Sequence, residues 1–426
     1  MKVYAKSGSF ASPTATGNQS ITGLGFKPQA VIFFMNKATT DASVDEIQVG
    51  MGFATSSAQR FYVASELDDN VAAGDSNRRV DNAKCIGIVN NAATVVRAAD
   101  FVSMNSDGFT INWTTANATQ HRVNYIALGG LIAAKVGTFN TTTTTGSKAI
   151  TGVGFRPDLV FVLYGLDSTT LPGTNSTQSR WTFGFANFLK QVGFLTQGSD
   201  TLTPQATRRD QNTSNFYKIL QNSGTNLEVA TFTSMDSDGF TFNIGTASGV
   251  NKTFGYLAIQ GVQSKVGTIT QPSTTGNQTV TGCDTNPEAI LFIAFGDLTN
   301  QPGGRFYEPC IGVAIDSSDR RCQSNCANDG VNPTQTTSDS DTTKCIKNET
   351  ANAGAPTVDS AADFVSKKFG EFVINWTTAD ATAREIVYLA IGSPNIRSRL
   401  RKEDNVLRPA LFKPGFAVRK NTVLAS

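Results

Sequence analysis

Apolar and polar residues alternate in short stretches along most of the chain, and turn-forming residues separate these stretches. Residues 2–10 and 20–26 alternate, whereas residues 30–35 form a continuous apolar run. Alternation with a period of two predicts strands with one buried face, and a continuous run predicts a central strand that is covered on both sides. No stretch has the 3.6-residue period of an amphipathic helix. The pattern therefore predicts an all-β protein.

The strand pattern recurs three times, and a shared motif marks each occurrence. Residues 15–28, 144–157 and 274–287 each contain Thr-Gly, three further residues, a β-branched residue and a second Thr-Gly, and each ends on proline. The motif returns after 129 and then 130 residues. This period is the size of a domain, well above the ~20–50 residues of solenoid repeats. The chain is therefore expected to contain three copies of one domain.

We predict three tandem antiparallel β-sandwich or jelly-roll repeats, each of a size that can fold alone, and a basic, extended C-terminal arm. The predicted boundaries are 1–134, 135–263, 264–394 and 395–426. Only 16% of the residues are charged, which fits a strand-rich protein whose polarity comes from Thr, Ser, Asn and Gly. The net charge of +2 combines a +6 arm with a −4 body, which argues against a nucleic-acid-binding protein. We expect neither a signal peptide nor a membrane-spanning segment.

His121 is the one histidine of the sequence, and we expect no counterpart of it in the second and third repeats. A histidine general base, a catalytic triad or a histidine metal site would depend on this residue. The chain has no nucleophile elbow, Walker loop or dinucleotide fingerprint. A glycosidase with two carboxylates stays open, although no acidic pair recurs in every repeat. We predict a non-enzyme without cofactor or metal, in which His121 lies on the surface near a loop.

A turn motif, Asn-Ser-Asp-Gly at residues 105–108, recurs as Asp-Ser-Asp-Gly at 236–239. Asp-Gly between apolar strands predicts a hairpin with a type I′ turn, in which glycine adopts a positive φ. A calcium loop is the alternative. The third repeat has Lys-Lys-Phe-Gly-Glu at residues 367–371, and the loss of the acidic residues favours the hairpin.

The cysteines are concentrated in the third repeat. Cys85 of the first repeat matches Cys345 of the third. The spacing of Cys322 and Cys326 is compatible with a zinc site, with Cys310 and Cys345 as further candidate ligands. Free thiols, a disulfide formed outside the cell and a zinc site all stay open. Free thiols are favoured because the cytosol is reducing and a sandwich core needs no metal. The remaining cysteine of this repeat is Cys283.

A tryptophan recurs in the motif Ile-Asn-Trp-Thr-Thr, as Trp113 and Trp376. The second repeat has Ile244 at the matching position. An exposed tryptophan would offer a sugar ring a stacking surface. Replacement by isoleucine favours a position in the core.

These motifs together support a resemblance to a known repeat. Lys-Val-Gly-Thr-Phe at 135–139, the Thr-Gly motif at 16–28, the stretch 99–113 and Tyr-Ile-Ala-Leu-Gly at 125–129 resemble a β-rich repeat of tailed-bacteriophage proteins, some of them associated with the virion or the tail. The resemblance covers roughly residues 1–392, and the third repeat departs most from it. It implies a phage setting and offers no catalytic residues.

We therefore predict a structural protein of a bacteriophage particle, either a capsid decoration or a tail component, that acts through protein–protein contacts. The alternative is a multivalent carbohydrate-binding tail protein that recognises a receptor. The expected location is the virion, assembled in the host cytoplasm. Expected partners are other virion proteins, namely copies of this chain or a capsid or tail subunit, with a glycan as a further option. No membrane partner is expected, and nucleic acid is disfavoured.

The C-terminal arm is the predicted anchor, since its basic residues and spaced apolar side chains suit docking on a neighbouring subunit. Docking against the chain's own third repeat is the alternative, and contact with nucleic acid is a weaker third option. The candidate partner-binding residues are Arg397, Arg399, Arg401, Leu411, Phe412 and Phe416.

Overall fold

The structure is a computed structural model that describes residues 2–166, 171, 176–221, 223–295, 308–352, 355–382 and 384–394. These residues form strands and loops and contain no helix, so the predicted all-β class is confirmed. The strand order repeats three times along the chain, and we call the three sets units one, two and three. The boundaries predicted near residues 134 and 263 stay predictions.

Unit one consists of β1 (Val3–Ala11), β2 (Gly17–Thr22), β3 (Pro28–Asn36), β4 (Val44–Asp45), β5 (Ile47–Ser56), β6 (Gln59–Leu67), β7 (Ser76–Asp81), β8 (Ile86–Val89), β9 (Val95–Asn105), β10 (Gly108–Thr115) and β11 (Arg122–Gly130). Unit two consists of β12 (Ala133–Asn140), β13 (Gly146–Ile150), β14 (Leu159–Leu166), β15 (Ser176–Thr177), β16 (Ser179–Asn187), β17 (Gln191–Gly198), β18 (Thr207–Asn212), β19 (Tyr217–Leu220), β20 (Asn226–Asp236), β21 (Gly239–Thr246) and β22 (Thr253–Gln260). Unit three consists of β23 (Gln263–Thr270), β24 (Gly276–Thr281), β25 (Pro287–Ala294), β26 (Cys310–Ala314), β27 (Arg320–Ala327), β28 (Thr336–Asp341), β29 (Ile346–Thr350), β30 (Thr357–Lys368), β31 (Glu371–Thr378) and β32 (Glu385–Gly392).

Each unit folds into a larger and a smaller antiparallel sheet. In unit one the larger sheet has the order β1-β11-β3-β5-β6-β7, and the smaller sheet has the order β2-β10-β9-β8. Units two and three repeat both orders with their own strands. The two sheets of a unit face each other across an apolar core that both sheets supply.

The apolar run of unit one shows why its larger sheet is buried on both sides. Val31, Phe33 and Met35 point into the core between the two sheets. The alternate residues Ile32 and Phe34 point the other way, into a second core. The prediction of a central strand with both faces covered is therefore confirmed for β3, which lies between β11 and β5.

This second core is shared by all three units. It collects the outward-facing apolar residues of the three larger sheets into one cluster. Phe53 of unit one lies 6.2 Å from Phe161 of unit two, measured between ring centroids. Phe194 of unit two lies 5.1 Å from Phe295 of unit three. The units thus surround a common apolar centre.

Polar contacts join the units cyclically. The side chain of Asp319 in unit three accepts a hydrogen bond from the backbone N–H of Ser7 in unit one at 3.3 Å. Asn187 of unit two donates to the carbonyl of Ser264 in unit three at 3.1 Å. Units one and two meet where the hydroxyls of Ser65 and Ser179 share a short hydrogen bond. Every unit contacts both others, so the chain closes into a ring with the arrangement of a cyclic trimer.

Short segments also cross between neighbouring units. The two-residue strand β4 of unit one pairs with β28 of unit three. The two-residue strand β15 of unit two pairs with β7 of unit one. Unit three contributes Glu308, whose carboxylate lies 2.6 Å from the guanidinium of Arg209 on β18 of unit two. Each unit thus reaches the last strand of a neighbour's larger sheet.

Candidate functional site

His121 lies immediately before β11 and is buried, so the prediction of a surface position is wrong. Arg97 donates from Nε to Nδ1 of the imidazole at 2.8 Å, and from Nη1 to the carbonyl of Pro13 at 2.7 Å. Burial, followed by the positive charge of Arg97, lowers the pKa of His121 to about 4. A buried imidazole that already accepts a hydrogen bond from a guanidinium is a poor general base near neutral pH. The residue instead ties β9 to the start of β11.

The matching positions of the other units carry no histidine, as predicted, but they carry other basic residues. Lys252 and Arg384 precede the last strands of units two and three, as His121 does in unit one. In each unit a backbone N–H just after the first strand donates to the carbonyl of this residue at 2.9 Å. All three positions carry a basic residue, and all three residues are buried. A search for a second histidine missed them, whereas a comparison of charge at this position would have found them.

Arg384 pairs with several carboxylates. Its guanidinium lies 3.1 Å from the carboxylate of Glu308 and 2.9 Å from that of Asp359. These opposite charges raise its pKa against the effect of burial. Glu308 also pairs with Arg209 of unit two, so the cluster joins two units. Its charges are matched within the protein, which is typical of a structural ion-pair network.

Both recurring tryptophans are fully buried, which confirms the predicted core position. Trp113 packs in the core between the sheets of unit one, and Trp376 packs in that of unit three. The described aromatic residues that are exposed are Tyr4, Phe188 and Phe369. None of these three has an exposed aromatic counterpart at the matching position of another unit.

The Asp-Gly motif forms the predicted hairpin, but its turn type differs from the prediction. Asn105 pairs with Gly108, which leaves Ser106 and Asp107 at the centre of the turn. Neither central residue has a positive φ, whereas a type I′ turn needs one at both. Gly108 is required for another reason, because a Cβ there would lie 1.9 Å from the carbonyl oxygen of Ile21.

Asp107 links this turn to the loop between β2 and β3. Its two carboxylate oxygens accept hydrogen bonds from the backbone N–H groups of Gly23 at 3.1 Å and Gly25 at 2.5 Å. Asp238 binds Gly152 and Gly154 of unit two in the same way. Unit three lacks the aspartate and the second glycine together. Both oxygens of this carboxylate therefore accept hydrogen bonds from the backbone of a loop. This role favours the hairpin over the calcium alternative.

All six cysteines are buried free thiols. Burial raises the pKa of Cys85, Cys322, Cys326 and Cys345. Cys322 lies in the core of unit three, whereas the thiol of Cys326 contacts the hydroxyl of Thr337 at 2.8 Å. No set of three cysteine ligands comes together in the described ranges. The arrangement favours the free-thiol interpretation.

A groove between units two and three carries two exposed apolar residues of unit two. Phe188 and Leu189 form the tip of the β16–β17 hairpin and are 37% and 80% exposed. The guanidinium of Arg156 lies over the Phe188 ring at 4.6 Å. The groove, of about 250 Å³, is also lined by Val262 and Pro394. This is a candidate contact surface.

A group of three carboxylates lies at the junction of units one and three. Glu46, Glu66 and Asp68 each bring an oxygen within 4.8 Å of the others. It is the one such group of potential metal ligands found in the part of the chain that the structure describes. No sequence motif marks this group, because Glu46 follows the crossing strand β4 and lies 20 residues before Glu66.

The predicted arm residues at 395–426 lie outside the described residues. Within the described ranges there is no helix long and apolar enough to cross a membrane. No protein-family model matches the chain, and no curated protein matches it significantly. The resemblance to a phage repeat thus depends on the sequence motifs alone.

Proposed function

We propose that this protein is a structural component of a tailed-phage particle that acts through protein–protein contacts as a capsid decoration or a tail component. The observation that carries the proposal is the closed ring of three similar units around one apolar core. A cyclic ring presents three similar faces around an axis. Such a body suits a partner that itself offers three equivalent contact points, which virion assemblies provide by symmetry.

The chemistry of the described residues supports a structural role. The one histidine is buried against Arg97, and the ionic cluster around Arg384 is paired internally. The aspartates of the two Asp-Gly turns hold backbone loops. These groups are engaged in holding the fold, and we propose that the protein has no catalytic activity.

A carbohydrate-binding tail protein is the alternative. A multivalent lectin of three similar units should present similar aromatic groups on each unit, because stacking on a sugar ring needs an exposed aromatic face. The exposed aromatic residues Tyr4, Phe188 and Phe369 occupy different positions in their units. This difference favours protein contacts. A glycan array probed with the full chain separates the two functions, since specific glycan binding supports the alternative.

We propose that the basic arm, residues 395–426, anchors the protein to its partner. The described part of the chain ends at Pro394, which lines the groove beside Phe188 and Leu189. The arm carries a net charge of +6, so an acidic partner surface would complement it.

Two experiments test this function. Immunogold labelling or cryo-electron microscopy of purified particles should place the protein at regular sites on the head or the tail. A chain truncated after Pro394 should keep the far-ultraviolet circular dichroism of the full chain but lose incorporation into particles. A full-length variant with Arg397, Arg399 and Arg401 changed to Gln tests the charge separately. Absence of the protein from purified particles contradicts the structural role, and normal incorporation of the truncated chain contradicts the anchor.

A further inference from the structure

We propose that Glu46, Glu66 and Asp68 form a binding site for a calcium ion, which fastens the crossing segment of unit one in place. The three side chains come from two separate parts of unit one. Glu66 lies near the end of β6, and Asp68 directly follows that strand. Glu46 directly follows the crossing strand β4. Glu46 is held on unit three, because its N–H donates to the carbonyl of Thr336 at 3.0 Å. An ion between these carboxylates would join β6 to the segment that crosses between units.

The geometry suits calcium. The three carboxylate oxygens lie within 4.8 Å of one another. Ca²⁺ binds oxygen ligands at about 2.3–2.6 Å, so any two ligands of one ion lie no more than about 4.6–5.2 Å apart, a condition that these three oxygens meet. Mg²⁺ needs about 2.0–2.1 Å and a near-ideal octahedron. Carboxylates are hard ligands, which excludes a preference for soft metals.

A buried and unpartnered carboxylate oxygen is the second observation. Glu66 is fully buried, and its Oε1 has no hydrogen-bond partner among the described residues. Its Oε2 accepts a long hydrogen bond from Asn77, at 3.4 Å, and its carboxyl group also lies within hydrogen-bonding reach of the carboxyl group of Asp68. Oxygens of Asp68 and Glu46 lie within 4.8 Å of an oxygen of Glu66, so no positive group of this cluster offsets its charge. A buried carboxylate of this kind requires a proton or a cation.

The local charges leave room for a divalent ion. Lys37 lies 2.6 Å from Glu46 and balances one of the three carboxylates. Two negative charges then remain, which a Ca²⁺ ion would balance. Lys37 donates a hydrogen bond to Oε2 of Glu46, and Gln48 donates one to Oε1. Each carboxylate oxygen has a second lone pair, so each can still bind a metal ion.

The other units show that the fold does not need these acids. The position of Glu66, paired with Asn77, is occupied by Gln197 in unit two and by Cys326 in unit three. The position of Asp68 is occupied by Ser199 and Asn328, which make the equivalent backbone hydrogen bond. Gln178 replaces Glu46 in unit two and shares its positive φ. The three acids are therefore particular to unit one, as expected of a site with its own ligand.

These differences supply matched variants for the test. Glu66→Gln introduces the residue of unit two, and Asp68→Asn introduces the residue of unit three, so both changes have a precedent in this fold. Asp284→Asn is the control. Asp284 is an acid in the loop between β24 and β25 of unit three, with a φ of 52°, a conformation that asparagine tolerates.

The experiment is calorimetric titration of the EDTA-treated full chain with CaCl₂ and, separately, with MgCl₂. We expect one site that prefers Ca²⁺, a melting temperature that rises with Ca²⁺, and unchanged binding in Asp284→Asn. Glu66→Gln and Asp68→Asn should each weaken binding by about tenfold or more, because affinity follows the number of charged ligands. Circular dichroism in EDTA checks that the variants fold.

Three results would overturn the proposal. The first is absence of heat and of any melting shift up to about 10 mM Ca²⁺, above the weakest range usual for protein calcium sites. The second is binding that neither variant weakens. The third is a preference for Mg²⁺. If Ca²⁺ has no effect but the metal-free chain loses stability as pH rises, and Glu66→Gln removes that loss, then a proton occupies the carboxylates instead.

Discussion

The indole Nε1 of Trp113 donates a hydrogen bond to Oε1 of Gln19 at 2.7 Å, across the β10–β2 pair. The same contact recurs in unit three between Trp376 and Gln278 at 2.8 Å. Unit two has changed both partners, with isoleucine in place of tryptophan and lysine in place of glutamine. The two positions thus vary together, since a buried N–H needs an acceptor and an isoleucine does not.

This pairing predicts an energetic coupling between the two positions. Gln19→Leu should destabilise the protein by about 1–3 kcal/mol, because it leaves the buried indole N–H without an acceptor. The double variant Gln19→Lys with Trp113→Ile copies unit two and should be more stable than the sum of its single changes implies. Urea denaturation of the parent protein, the single variants Gln19→Lys and Trp113→Ile, and the double variant measures the coupling in a double-mutant cycle. Additive effects would show that the hydrogen bond does not link them.

The strands and the buried tryptophans could be predicted from the sequence because they follow from local pattern. The apolar run at β3 shows that both faces of this strand are covered, and the replacement of Trp by Ile244 indicates burial. The pattern does not say what covers the outer face. Ile32 and Phe34 are covered by other units, and only the tertiary structure reveals that partner.

The polar features were harder to predict, for two physical reasons. Histidine is a polar residue type, yet His121 is buried, and its Nδ1 accepts a hydrogen bond from Arg97 there. Glu46 meets Glu66 only because β4 crosses to unit three. Neither arrangement has a periodic signal, since each depends on loops that bring distant residues together. The Asp107–Gly25 contact could have been suspected, because unit three lost both motifs at once.

A glycine beneath a tyrosine recurs in the three units. A Cβ on Gly8 would lie 2.1 Å from the hydroxyl of Tyr125, its cross-strand neighbour. Gly8→Ala should therefore cost about 1–3 kcal/mol through displacement of the packed ring. Gly245→Ala is the matched control, because the nearest atom to its Cβ would be 4.0 Å away. Guanidinium denaturation should show a loss for the first variant and little change or a gain for the second. Equal effects would contradict the steric explanation.

The shared core predicts that the three units unfold together. Phe161→Ala removes a ring at the contact of units one and two and should cost about 3–5 kcal/mol. Differential scanning calorimetry should show one transition, with equal calorimetric and van't Hoff enthalpies, that moves to lower temperature as a whole. Residues 1–134 expressed alone should aggregate, since their larger sheet would expose its outer apolar face. Three separate transitions would contradict the shared core.

The six thiols should be unreactive in the folded protein. Each is buried, and burial holds the pKa of Cys85 and Cys345 well above the usual range, so little of the reactive thiolate forms. Ellman's reagent should label almost no cysteine in buffer and all six after denaturation in guanidinium. Rapid labelling of native protein would show that the cores that hold these cysteines open readily.

His121 predicts a loss of stability in mild acid. Its pKa is about 4 when folded, against 6.5 when free, so the unfolded chain binds the proton more readily. Stability from this group is complete above pH 6.5 and is lost as the pH falls toward 4, by about 3 kcal/mol in total. Below the folded value both states are protonated and the effect levels off.

Two measurements check this value. The chain has one histidine, so a single set of imidazole signals in NMR should stay unshifted from about pH 8 to pH 5, across the ordinary titration range. His121→Gln keeps an acceptor for the Nε–H of Arg97 and carries no titrating group. Its urea midpoint should therefore vary less with pH between 6.5 and 4 than that of the parent protein. An imidazole that titrates near 6.5 would mean that Arg97 and burial do not hold it neutral.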